Sequence, residues 1–231
     1  MTAGESRLVV ALETSTRTPS VAASLKGGRV CLRTLDGERS HASDLLVELE
    51  AAVAEVGATK DDLDVVVVGT GPGSYTGLRV GAATALGLHR GAEAALVAVP
   101  SFEAIACAGL RPGDAGAVFA NAFGGQVYAA AYQRQPEGSG VRATIEPKCV
   151  DAAAARAELI GADAAFADPG ALSAMGLSGG EVPGSVRVDV VPRADVLLSV
   201  GLEALRERGA DDPARVRPLY LRPFEVKMRG R

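Results

Sequence analysis

The sequence predicts an α/β fold of two similar lobes, each a mixed sheet flanked by helices. Three observations carry this. Short β-rich runs joined by Gly-Gly turns occur twice, around Gly27-Gly28 and around Gly124-Gly125. Each set is followed by a switch to helical period. Between them lies a wholly apolar run, Val65 to Val68, with the character of a central parallel strand covered on both faces.

Taken in order, "RLVVALE" (7–13), "SVAASL" (20–25) and "VCLRTL" (30–35) read as a three-strand meander. "SDLLVELEAAVAEVG" (43–57) puts Leu45, Leu46, Leu49, Ala52, Val53 and Val56 on one helical face, with Gly57 as a closing cap. Strand 64–69 follows, then a helix from about Gly77 to Arg90, and strand 95–100. Ser101 is expected to cap the next helix, with Glu103 near its positive end. The second half repeats the order: strands 115–121, 126–133 and 141–146, helix 151–160, strands 164–168 and 186–191, and a closing helix 193–209. No residue-level repeat accompanies it. The halves divide as 1–108 and 109–231. A repeated meander followed by parallel crossovers is the actin-like ATPase (ribonuclease H-like) arrangement, whose strand ends face one cleft. Pattern alone leaves this level with an ordinary open α/β domain.

At 231 residues the chain can bury a sizeable core, and at 48% apolar with 4% aromatic residues that core is built from Ala, Val and Leu. A net charge of −4 argues against a stand-alone nucleic-acid binder. Cys31, Cys107 and Cys149 are far apart, odd in number and form no C-x-x-C. They read as buried thiols of a reducing compartment. There is no signal-like apolar run at the start and no stretch near the ~20 apolar residues of a membrane span. The expectation is a soluble, cytoplasmic protein.

The densest motif is "GTGPGSYTGLR" (69–79), directly after the valine run. It is not a phosphate-binding P-loop, because Gly77 is followed by Leu78 and Arg79 rather than Lys and Ser/Thr. Glycines two apart do not match G-x-G-x-x-G, and Gly73-Ser74-Tyr75 is not the G-x-S-x-G elbow of a nucleophilic serine. What remains is a strand, a glycine turn and a helix start. Its amides could hold an anion, or its glycines could serve close backbone packing. Glu13, Thr14 and Ser15 stand where actin-like ATPases keep a polar phosphate loop; turn bonding by Thr and Ser is the other reading.

"GTGPGSYTGLRVGAATALGLHRG" resembles the central signature of the TsaB (YeaZ) family, which belongs to the actin-like fold and was once grouped with glycoproteases. "LVVALETST", "HASDLLVELEAAVAEVG", "VPSFEAIA" and "PLYLR" (218–222) resemble its first strand, first helix, third helix start and close. The likeness is specific over 7–108 and looser over 115–192. The family's second lobe opens D-A-R; here it reads Asn121-Ala122-Phe123, so an Arg-type bidentate contact is lost at Phe123.

The resemblance implies an accessory subunit for N6-threonylcarbamoyladenosine (t6A) formation at position 37 of ANN-decoding tRNAs. It implies pairing with a catalytic TsaD-type paralogue, joined by a TsaE-type P-loop ATPase, a homodimer when alone, and tRNA contact only through the complex. The catalytic paralogue holds metal through H-x-x-x-H. Here His41 is followed four residues later by Leu45, and His89 is remote, so no metal ligands and no catalytic residues are assigned. No cofactor is required; weak adenine-nucleotide binding is assigned to Glu13, Thr14, Ser15, Gly71, Gly73 and Ser74. The partner surface is assigned to Leu45, Leu49, Ala52, Gly77, Gly81, Ala82, Ala85 and Leu88, where small residues at helical spacing would let another helix approach. An actin-fold ATPase or kinase, or a peptidase, is the alternative. A basic tail (Arg215, Arg217, Arg222, Lys227, Arg229, Arg231) reads as a solvated end or as a tRNA contact within the complex.

Overall fold

The computed structural model describes residues 8–35, 42–136, 140–188 and 190–222. His41, Asp189 of the expected strand 186–191, and Lys227, Arg229 and Arg231 of the tail lie outside them.

The first sheet contains β1 (Leu8–Glu13), β2 (Ser20–Leu25), β3 (Val30–Thr34), β4 (Leu63–Gly69) and β5 (Ala95–Val99), in the order β3-β2-β1-β4-β5. β1, β2 and β3 form the antiparallel meander, and β4 and β5 add in parallel. The second sheet contains β6 (Ala115–Phe123), β7 (Gln126–Arg134), β8 (Val141–Asp151), β9 (Ala165–Ala167) and β10 (Val186–Arg187). Read from β8, its order is β8-β7-β6-β9-β10, the same pattern. This duplicated topology is the actin-like ATPase fold.

The valine run is apolar because both faces of β4 are covered. Val66 and Val68 pack in one core with Leu45, Leu49 and Ala52 of α1 (Ala42–Glu55) and Ala85 of α2 (Tyr75–Ala92). Val65 and Val67 pack in a second core with Ala104 of α3 (Ser101–Gly109) and Ala194, Leu197 and Leu198 of α6 (Ala194–Arg208). Each buried valine contributes about 1.5–3 kcal/mol. In the second lobe, Phe119, Val127 and Ala129 meet Ala155 and Leu159 of α4 (Ala152–Ile160) and Ala171 of α5 (Pro169–Ala174). Phe102, Ile105 and Ala106 of α3 meet Val118, Ala130, Tyr132 and Phe166 on the opposite face.

The boundary at residue 108/109 therefore does not separate the lobes. α3 belongs by sequence to the first half but packs on the second sheet. α6 returns from the second half to the first sheet, where its leading amide at Ala194 donates to the buried Ser20 hydroxyl at 3.0 Å. The two helices lie in contact between the sheets. Ser101 is likewise not a cap. Pro100 stands at the N-cap position, and the Ser101 hydroxyl instead accepts the Gly71 amide at 3.1 Å. β8 is longer than the expected strand 141–146, and α5 has no counterpart among the expected helices.

Candidate functional site

The cleft end of the first lobe is built from three strand ends. β1 delivers Glu13, Thr14 and Ser15; β4 delivers the glycine loop 69–74; β5 delivers Ser101. The structure brings all six candidate nucleotide residues together, and it shows what the glycines do. A Cβ on Gly73 would run into the Ser15 backbone, one on Gly77 into the Thr14 carbonyl, and one on Gly81 into the Thr14 hydroxyl. Bare backbone lets segment 13–15 lie directly against the loop and the first turns of α2.

The polar groups of this site are mostly used internally. The Ser15 amide donates to Glu13 Oε1 at 2.7 Å and the Ser74 amide to the Ser15 carbonyl at 2.7 Å. The Gly77 amide donates to the Ser74 hydroxyl at 3.2 Å, which caps α2, and the Thr70 amide to the Val99 carbonyl at 2.9 Å. With Gly71 donating to Ser101, four amides at the glycine turn and helix start already have protein partners. Glu13 is fully buried, and its Oε2 packs over Gly69 beside the Ser101 hydroxyl. Burial pushes its carboxyl up, and hydrogen bonds from Ser15, then Ser101 and Thr14, only partly counter this. Glu13 is thus a carboxyl raised by burial, in the place where a phosphate loop would sit.

A strap formed by residues 209–222 closes this end. The Asp211 amide donates to the Leu96 carbonyl at 2.8 Å, and Asp211 Oδ2 accepts the Ala98 amide at 2.8 Å. Farther on, the Leu219 amide donates to the Thr70 carbonyl at 2.9 Å, and Tyr220 lies against Tyr75 with centroids 5.1 Å apart. Arg222 then crosses to the second lobe, donating to the carbonyls of Ala122 at 2.8 Å and Phe123 at 3.2 Å. The altered motif Asn121-Ala122-Phe123 is therefore served by an arginine from elsewhere in the chain. Asn121 takes the Phe123 amide on Oδ1 at 2.8 Å and gives its own amide to Asp168, the cap of α5. The motif "PLYLR" was legible, but its bridging position depends on the path after α6.

The residues assigned to a partner surface need correction. Leu45, Leu49, Ala52, Gly81 and Ala85 are buried in the chain's own core. Leu45, Leu49, Ala52 and Ala85 pack on the first sheet, and Gly81 faces Thr14. Their side chains face inward because both helices use that face to cover the sheet. Gly77, Ala82 and Leu88 are half-buried. The outward stripe of α1 carries Leu46 and Val47, 49% and 61% exposed, and that of α2 carries Arg79, Ala83, Gly87 and Gly91.

His89 binds the Ala94 carbonyl through Nδ1 at 2.6 Å, a helix-end contact. Among the described residues no three His, Cys, Asp or Glu side chains group as a metal ion would require. Cys31 is buried and Cys107 and Cys149 half-buried, all as thiols. No helix among the described residues is long and apolar enough to cross a membrane.

The family model for TsaD, tRNA N6-adenosine threonylcarbamoyltransferase, matches residues 36–171, more than half of the chain. The chain is similar to the tRNA threonylcarbamoyladenosine biosynthesis protein TsaB of Escherichia coli strain K12, with 28% identity over 228 residues, 93% of this chain and 94% of that one. It is 35% identical to TsaB of Haemophilus influenzae over 98 residues, 42% of this chain and 41% of that protein. A crystal structure from Pseudomonas aeruginosa, described as similar to peptidase YEAZ, superposes with a TM-score of 0.76 at 26% identity, covering 93% of this chain and 99% of that one. The chain belongs to the TsaB (YeaZ) family of tRNA threonylcarbamoyladenosine biosynthesis proteins.

Proposed function

We propose that this chain is a non-catalytic partner subunit for t6A formation at position 37 of ANN-decoding tRNAs, pairing with and activating a catalytic TsaD-type subunit. The observation that supports this reading is a strand-end site whose glycine-loop amides are in part already used within the chain. The segment that would cradle a phosphate is fused to the glycine loop, and the amides of Gly71, Ser74 and Gly77 already donate within the chain. The near full-length likeness to TsaB supports the pathway.

Partner pairing falls to the outward stripes of α1 and α2. Leu46 and Val47 are large exposed apolar side chains on α1. On α2, Ala83, Gly87 and Gly91 recur at intervals of four and are small enough for a second helix to approach closely. In the complex this surface meets the TsaD-type subunit; alone, it meets a second copy. A TsaE-type ATPase joins the assembled pair, and tRNA is engaged only by the assembly. No cofactor is needed by the chain itself, and any adenine nucleotide binds it weakly.

The test is reconstitution. The chain should co-purify with the TsaD-type subunit, and substrate tRNA with threonylcarbamoyl-adenylate should be modified by the pair but not by the chain alone. Turnover by the isolated chain would contradict the accessory role.

A further inference from the structure

Four stretches meet at the mouth of the cleft: 14–19, 70–79, 121–126 and 213–222. Their contacts make them one surface. Ser74 bonds Ser15, Leu219 bonds Thr70, Tyr220 lies on Tyr75, and Arg222 grips the carbonyls of Ala122 and Phe123. None of these stretches contains an aspartate or a glutamate, in a chain with 28 acidic and 24 basic residues. They contain five arginines. Arg215 is discounted because it faces Asp212 at 3.8 Å. Arg17, Arg79 and Arg217 are exposed in three of these stretches, and the half-buried Arg222 ties the fourth to the third through the Ala122 and Phe123 carbonyls.

The rim also carries exposed aromatics. Tyr75 and Tyr220 are 45% and 51% exposed, with the Arg79 guanidinium 5.3 Å from the Tyr75 ring centre. Phe123 is 62% exposed at the tip of the β6–β7 hairpin. Its backbone has φ of 60°, a region bulky residues avoid. It is held there by its own amide on Asn121 Oδ1 and by Arg222 on its carbonyl. A bulky apolar ring kept in solvent on a strained backbone offers a face to a flat partner.

We propose that this rim is an RNA-contact surface, in which Arg17, Arg79 and Arg217 take backbone phosphates and Phe123 stacks on an unpaired base. Exposed arginines interleaved with exposed aromatics match the two things a single RNA strand offers, regular negative charge and base faces, and the nearby carboxylates Asp212 and Asp168 are engaged by Arg215 and the Asn121 amide. The inference rests on the tRNA-modification reading and adds to it where this subunit touches the substrate.

The test uses this chain assembled with the TsaD-type subunit, measuring affinity for an ANN-decoding tRNA across a potassium chloride series. The double variant Arg17→Ala/Arg217→Ala should flatten the log–log salt slope by about 1.5, on the order of 0.7–0.9 per lost phosphate contact. Arg17→Lys/Arg217→Lys should restore it. Phe123→Ala should weaken binding about tenfold with an unchanged slope. A double alanine variant with the parent slope overturns the proposal. So does loss of co-purification with the TsaD-type subunit, which would make the rim a protein-docking face. If the parent pair makes t6A but the variants bind tRNA like the parent, only the rim proposal falls. If the parent pair neither binds tRNA nor makes t6A, the functional reading falls with it.

Discussion

The Ser74 amide donates to the Ser15 carbonyl at 2.7 Å, and this bond seals the glycine loop onto the end of β1. The two segments pass so closely that a methyl group on either Gly73 or Gly77 would meet the backbone of Ser15 or Thr14. Gly73→Ala and Gly77→Ala should each destabilise the chain by about 1–3 kcal/mol through overpacking. Gly87→Ala, at an open position on the exposed face of α2, should stabilise it by about 0.5–1 kcal/mol. Urea unfolding midpoints compare the three directly. Equal effects would mean that the loop glycines are not packing residues.

Ala85 and Ala83 separate core from surface on one helix. Ala85 is fully buried, so Ala85→Arg should leave no folded chain. Ala83 is exposed, so Ala83→Arg should alter stability by under ~0.5 kcal/mol and abolish co-purification with the TsaD-type subunit. Circular dichroism reports the first effect and affinity capture the second. An Ala83→Arg chain that folds and still pairs would move the interface off α2.

Glu103 on α3 makes stability depend on pH. Burial at the seam between the sheets pushes its carboxyl up to about 7, Arg208 pulls it back and Glu146 adds to the rise. In the unfolded chain the carboxyl titrates near its ordinary value of 4.5. Between these values the folded state holds more protons than the unfolded one, so stability is highest below the window and falls as pH rises through it. Glu13, also raised by burial, acts in the same direction. Unfolding midpoints at about pH 5 and about pH 8 should show the loss, and Glu103→Gln should reduce it. A Gln variant with the parent pH profile would rule Glu103 out as its source.

Arg222 is the strap's hold on the second lobe. Arg222→Ala leaves the Ala122 and Phe123 carbonyls without this donor and should cost about 1–3 kcal/mol, since the bonds come from a charged group. Limited proteolysis should cut the strap or the β6–β7 hairpin faster in the variant. An unchanged cleavage pattern would show that the strap is held by Asp211 and Leu219 alone.

Much of the fold was legible because its signals are local. Gly27-Gly28 and Gly124-Gly125 mark hairpins through backbone freedom, and Val65 to Val68 announce a strand covered on both faces. The exchange of α3 and α6 between lobes was not legible. Helix 193–209 reads as amphipathic wherever it docks, and only the path of the chain decides that its Ala194 amide reaches Ser20. The site was legible as a set of residues but not as a mechanism. The motif 69–79 pointed to Glu13–Ser15, yet the bonds by which Ser15 takes the Ser74 amide and Ser101 the Gly71 amide have no signal in the sequence. Five of the residues assigned to a partner surface belong instead to the chain's own core. Gly81 and Ala85 are small because they touch this chain's own Thr14 and sheet, while Ala83 and Gly87 carry the equivalent spacing outward. Low charge on both faces of α2 hid the difference.

The most direct test of the accessory role is t6A formation by the TsaD-type subunit with its TsaE-type ATPase, threonylcarbamoyl-adenylate and an ANN-decoding tRNA, with this chain present or left out. Modified adenosine only when the chain is present, and none from the chain alone, is the expected result. Equal modification without it, or turnover by the chain on its own, would contradict that role.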